Sequence, residues 1–123
     1  MAFHNDTGKW GEQVAADYLA ANGYAITDRN VRMGRNEIDI IAMKGDSIMF
    51  VEVKTRSTAL KDPLDAITPD KMRRLCRAAD AYIKARQLPH RPQFDLIAII
   101  GAPGRYELEH FPDAFFPPLT SGR

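Results

Sequence analysis

The stretch from Ile48 to Val53, Ile-Met-Phe-Val-Glu-Val, constrains this chain most, because it is apolar on both of the faces a strand can present. Side chains along a strand alternate sides, so Ile48, Phe50, Glu52 and Lys54 share one face and Met49, Val51 and Val53 the other. A strand apolar on both faces has to be covered on both, which predicts a central strand with helices above and below the sheet. Before it lie Glu37 to Met43, read as a strand, and Lys44-Gly45-Asp46, read as a tight turn, so the two strands form a hairpin.

The remaining elements follow from punctuation and periodicity. Asp6 or Thr7 is expected to cap a first helix running to about Asn22 and stopped by Gly23. Trp10, Val14, Tyr18 and Leu19 form its buried stripe, with Lys9, Glu12, Gln13 and Ala16 on a different face. Tyr24 to Asp28 reads as a short strand and Arg29 to Asn36 as a polar loop. Thr68-Pro69 is a strong helix start, a capping hydroxyl followed by proline at the first helical position. Met72, Leu75, Cys76, Ala79, Tyr82 and Ile83 mark that helix's buried face, and it ends before Pro89. Gln93 to Ile100 reads as an apolar strand and Arg105 to Glu109 as a last short one. From about Phe111 an irregular aromatic and proline-rich tail is expected. The class is therefore α/β, in the order helix, three strands, helix, two strands, with a mixed sheet and helices on both faces. At 123 residues, one domain spanning 1–123 is expected.

With 45% apolar and 27% charged residues the chain is neither disordered nor fibrous. No apolar run is long enough to cross a bilayer, and the first residues lack the basic start and apolar stretch of a signal peptide. A cytoplasmic protein without membrane partners is expected. Cys76 is the only cysteine, which excludes an internal disulfide, and its place in an apolar helical stripe predicts a packed thiol. The net charge of +1 argues for no partner, but its distribution is uneven. Pro69 to Arg91 holds seven basic and two acidic residues, and the rest of the chain is net −4. A basic segment beside an acidic cluster suits a polyanion held near bound cations, although a solvated helix face has the same composition.

Glu52 and Lys54 emerge where the covered strand ends, and a carboxylate there is expensive unless it is paired or holds a metal. With the turn at Lys44-Gly45-Asp46, Asp39 on the neighbouring strand falls beside Glu52. Two adjacent carboxylates repel, which raises a pKa or recruits a cation, and oxygen ligands suit Mg²⁺ or Mn²⁺. Lys54 would stabilise charge on a phosphate, and Glu12 could add a carboxylate from the first helix. A bare Glu-x-Lys also occurs as an ordinary cross-strand ion pair, so the residues alone leave both readings open. Glu37 shares a face with Asp39 but sits at the strand entrance. Lys9, Gln13, Arg32, Arg35, Arg56, Lys71 and Arg74 are candidate contacts to a nucleic-acid backbone, each also readable as an ordinary solvent-exposed side chain. Asp95, inside an apolar strand, is expected to be satisfied by buried hydrogen bonds. His4, His90 and His110 show no metal-ligand spacing.

Several phrases carry a more specific signal. Gly8-Lys9-Trp10-Gly11-Glu12-Gln13-Val14-Ala15-Ala16, Asn22-Gly23-Tyr24, Asn30-Val31-Arg32, Asn36-Glu37-Ile38-Asp39-Ile40-Ile41 and Phe50-Val51-Glu52-Val53-Lys54-Thr55-Arg56 resemble the YraN-like family of small bacterial proteins. Thr68-Pro69-Asp70-Lys71, Arg73-Arg74-Leu75 and Arg91-Pro92-Gln93-Phe94-Asp95-Leu96 extend the match. The resemblance implies a restriction-endonuclease-like fold close to archaeal Holliday-junction resolvases. It implies a metal-dependent endonuclease acting on DNA, including branched or junction DNA, or else a non-catalytic nucleic-acid-binding module of a repair or recombination complex. Glu12, Asp39, Glu52 and Lys54 match the catalytic positions, and Asp39, Glu52 and the carbonyl of Val53 the Mg²⁺ or Mn²⁺ ligands. A homodimer with no small-molecule cofactor is implied as well. Two departures stand out. Asn36 replaces a usual glycine, and asparagine is expected to keep the left-handed turn. No glutamine lies between Pro69 and Arg86, so the helix signature of RecB-like nucleases is missing. A third possibility is an interaction protein that docks through its aromatic-proline tail.

Overall fold

In a computed structural model of the chain, which describes residues 3–58 and 62–115, five strands form one sheet in the order β1-β2-β3-β4-β5. The elements are α1 (Phe3–Ala21), β1 (Ala25–Met33), β2 (Asn36–Lys44), β3 (Ser47–Arg56), a 3-10 turn (Pro63–Ala66), α2 (Pro69–Arg86), β4 (Arg91–Ala102) and β5 (Arg105–Phe115). All neighbouring strands are antiparallel except β3 and β4, which run parallel and are joined by α2 as the crossover. This is the α/β mixed sheet, and the element order, expected from the sequence.

The two faces of the sheet bury separate cores. On one, α1 contributes Ala15, Ala16 and Leu19 against Ile40, Met49, Val51, Ile97 and Ile99. On the other, α2 contributes Leu75, Ala78, Ala79 and Tyr82 against Ile41, Ile48, Phe50, Phe94 and Leu96. Phe50 is central to the second, edge-on to Tyr82 at 6.0 Å and stacked with Phe94 at 5.8 Å. The sandwiching of β3 is what its two apolar faces require. Cys76 is half-buried against this second core, and burial pushes its thiol pKa up, as fits a packed side chain.

Some expected boundaries shift. α1 extends upstream through Asp6 and Thr7 to Phe3, so neither residue begins it. Ala16 belongs to the buried face, because glycine at 11 and alanine at 15 and 16 let the helix lie close to the sheet. β1 continues through the segment expected to be a loop: Val31 and Met33 turn inward onto the second core while the polar residues between them face out. Asn36 opens β2 in an extended conformation, and the preceding turn is made by Gly34 at φ 65. β5 runs on to Phe115 rather than giving way to a tail at Phe111. A register shift opposite Phe94/Leu96 and a left-handed Asp113 (φ 52) absorb the irregularity, and Pro112 is tolerated because β5 is an edge strand. The rest of the expected tail lies outside the described residues. Among those residues no helix is long and apolar enough to cross a membrane.

Thr68 begins α2 as its sequence predicts, its hydroxyl accepting from the Lys71 amide at 3.2 Å. Buried Asp95, 1% exposed, is fully engaged: His110 Nε2 lies 2.8 Å away, Gln93 donates at 3.0 Å and the Asp113 amide at 3.1 Å. Tyr18 meets the other nitrogen of His110 at 3.0 Å, which ties α1 to β5.

Candidate functional site

The antiparallel ladder between β2 and β3 stops at the pair Ile40–Val51. Beyond it β2 pairs only with β1, through Ile38, Glu37 and Asn36, while β3 from Glu52 to Arg56 pairs only with β4. The sheet therefore forks, and Asp39 and Glu52 stand at the crotch. Strict alternation along β2 fails at the same place, since Ile38 and Ile41 share one core and Ile40 lies in the other. On β1, Asn30 lies between the residues that pair with Ile40 and Ile38, and it is held at φ 52. Asparagine is among the few residues that adopt this conformation at modest cost, so it suits the bend.

Asp39 is locked in place by its own strand partner. Its Oδ2 accepts from the Val53 amide at 2.8 Å, replacing the ladder bond lost at the fork. Burial pushes its carboxyl from 3.8 up to about 7. The negative charge of Glu52 adds to the rise and that of Glu12 adds less, while the Val53 amide and Lys71 pull the other way. Glu12 reaches the same region from α1 and is also shifted upward. Burial is the main cause, countered by a hydrogen bond from Asn30 and by Arg29, and reinforced by Glu37 and Glu52. Glu52 is only 6% exposed, and Lys71 of α2 pairs with it at 2.7 Å. A carboxylate this deep requires a cation close by.

Lys54 is half-buried one step farther along β3, with no carboxylate in ion-pair range among the described residues. Arg35 and Arg74 join Lys71, Asn36, Glu37 and Leu75 around a cleft of about 180 Å³ beside the fork. The other expected backbone contacts are dispersed. Lys9 is exposed on α1. Gln13 is held between Asp17 and Arg29, both at 2.9 Å. Arg32 lies 4.0 Å from Glu37, and Arg56 folds back onto the Thr55 carbonyl at 2.9 Å. The structure thus gathers Glu12, Asp39, Glu52, Val53 and Lys71 around one point, with Arg35 and Arg74 next door. Two residues take parts the sequence did not single out for them: Asn30 steadies Glu12, and Lys71 partners Glu52. The left-handed preference of asparagine within Asn30-Val31-Arg32 was the available signal for the first. The second is a long-range pair with none.

Among the described residues no three His, Cys, Asp or Glu side chains converge as a ready metal cage. Two carboxylates do approach each other: the charge of Glu52 raises the proton affinity of Asp39, and a lysine ammonium pairs with Glu52 as a stand-in cation. That donor set fits Mg²⁺, which commonly takes one or two protein carboxylates and completes its shell with water and phosphate oxygens.

The fold and the fork define an α/β protein with an acidic pair at a sheet crotch, flanked by lysines. Residues 11–99 match the model of the uncharacterised protein family UPF0102, and the chain belongs to that family. It is 49% identical to a UPF0102 protein of Bacteroides fragilis over 97% of this chain and 99% of that one. Identity to a UPF0102 protein of Chlorobium phaeobacteroides is 45%, covering 90% and 94%. Among solved structures it is similar to the 1.6 Å structure of Archaeoglobus fulgidus Hjc, a Holliday junction resolvase, with a TM-score of 0.47 and 17% identity over 85% of this chain and 76% of that one.

Proposed function

We propose that the protein is a metal-dependent endonuclease that hydrolyses phosphodiester bonds in DNA, with branched or junction DNA as the substrates to examine first. The observation that supports this reading is the fork, which sets Asp39 and Glu52 together beside Lys54 and a basic cleft. Asp39, Glu52 and the Val53 carbonyl would hold Mg²⁺ or Mn²⁺, which polarises the scissile phosphate and acidifies an attacking water. The Val53 amide fixes the orientation of Asp39, so that carboxylate needs no rearrangement to receive a cation. Lys54 offsets negative charge as it develops on the phosphate. Glu12, with its raised proton affinity, is placed to exchange a proton with water at the edge of the site. Arg35 and Arg74 hold the backbone beside the reacting phosphate.

The Glu52–Lys71 pair favours a second reading, a binding module in which Lys71 already offsets one of the two carboxylates. The two separate in one experiment: cleavage of linear, nicked and four-way-junction DNA with Mg²⁺ or Mn²⁺ by wild type and Asp39→Ala. The nuclease reading expects metal-dependent cleavage that falls by about 10²-fold or more in the variant. Equal cleavage by both, or none of any substrate, rejects it. The binding module expects tighter DNA binding by Asp39→Ala without any metal, since a repelling charge is removed.

A further inference from the structure

We infer that Lys71 is a shuttle between the acidic pair and the DNA backbone, so that loading the metal creates a phosphate-binding position in the neighbouring cleft. The inference rests on the metal-centre reading above and assigns Lys71 a part in it. Two observations meet in this residue. Its ammonium is 2.7 Å from Glu52 Oε2, and its side chain also lines the cleft with Arg35 and Arg74. Neither arginine has a carboxylate in ion-pair range among the described residues. Glu37 is the one acidic residue of the cleft wall.

Electrostatics sets the order of events. Without a divalent cation, buried Glu52 keeps Lys71, because a carboxylate left alone at that depth is severely penalised. A divalent cation at Asp39 and Glu52 satisfies the carboxylate and repels the ammonium. Lys71 is already 28% exposed along its side chain and sits in the first turn of α2, so rotations about its own side-chain bonds carry it toward the cleft. The cleft then presents Arg35, Lys71 and Arg74 together to a phosphate adjacent to the reacting one. Removing the ammonium from Glu52 by phosphate binding conversely opens the acidic pair to metal. The two ligands become mutually reinforcing, by the same factor in both directions.

The test measures Mn²⁺ binding by electron paramagnetic resonance and binding of a labelled duplex by anisotropy with Ca²⁺, on wild type, Lys71→Met, Lys71→Gln and Asp39→Ala. Lys71→Gln keeps a hydrogen-bond donor for Glu52, so the question stays answerable if Lys71→Met does not fold. Both neutral variants are expected to bind Mn²⁺ alone about three- to tenfold more tightly, because a competing charge is gone. They are also expected to bind duplex more weakly, and Ca²⁺ should enhance that binding less than in wild type. Unchanged or weaker Mn²⁺ affinity in both neutral variants, with binding lost in Asp39→Ala, overturns the shuttle and leaves the metal centre standing. Absence of Mn²⁺ binding in wild type overturns both.

Discussion

With a carboxyl titrating at about 7, Asp39 is half-protonated near neutrality, and the folded state holds a proton that the unfolded chain releases near 3.8. A folded pKa raised above its unfolded value means that the native state binds more protons between those limits. The contribution of Asp39 to the stability of the metal-free protein therefore falls as pH rises from about 4 to about 7 and stays lower above that. Asp39→Asn keeps an oxygen to accept from the Val53 amide and removes the charge. In chelator, urea unfolding of wild type is expected to lose on the order of 4 kcal/mol relative to Asp39→Asn across this window, so that Asp39→Asn is the more stable protein at pH 8. Parallel pH profiles would reject this account of the site. The adjacency of Asp39 and Glu52 was legible in the sequence, because the turn at Lys44-Gly45-Asp46 sets the hairpin register, whereas their role was left open between a metal site and an ordinary ion pair. Lys71 was visible only as one cation in a basic helix, since its pairing with Glu52 depends on how the crossover lays α2 over the sheet.

The docking of α1 has one tight point. Gly11 faces the end of β3 so closely that an added Cβ would collide with the hydroxyl of Thr55. This contact holds the helix where its next residue, Glu12, can feel the charge of Glu52. Gly11→Ala is expected to destabilise the protein by about 1–3 kcal/mol in chemical denaturation, the usual range for overpacking. Adding Thr55→Ala should restore much of the loss, and a double variant no better than the single would rule out this clash as the cause. Element order and the α2 cap could be read directly, because Thr68-Pro69 and the alternating apolar runs state them locally. The lengths of β1 and β5 could not. Each is an edge strand whose polar residues face water, so Arg29, Arg32, Pro112 and Asp113 resemble loop residues until Val31, Met33 and Phe115 are seen packed on the second core.

Across the whole molecule, the sheet separates two cores and the charge is sorted with it: the basic α2 covers one face, and the acidic pair lies at the fork beneath its first turn. The uneven charge was legible as composition, but its placement beside the acidic pair is a product of the parallel β3–β4 connection. The fork also has a consequence for motion. A central strand is ordinarily the slowest part of a sheet to exchange its amide hydrogens, because bonds on both sides must open together. Here Glu52 to Arg56 is clasped by β4 alone, and on the open side the Val53 amide is held by the carboxylate of Asp39. Hydrogen exchange should find Val53 slow in wild type and sharply faster in Asp39→Ala, while Phe50 and Val51 keep their protection. The middle strand would thus contain its own hinge, latched by a single side chain.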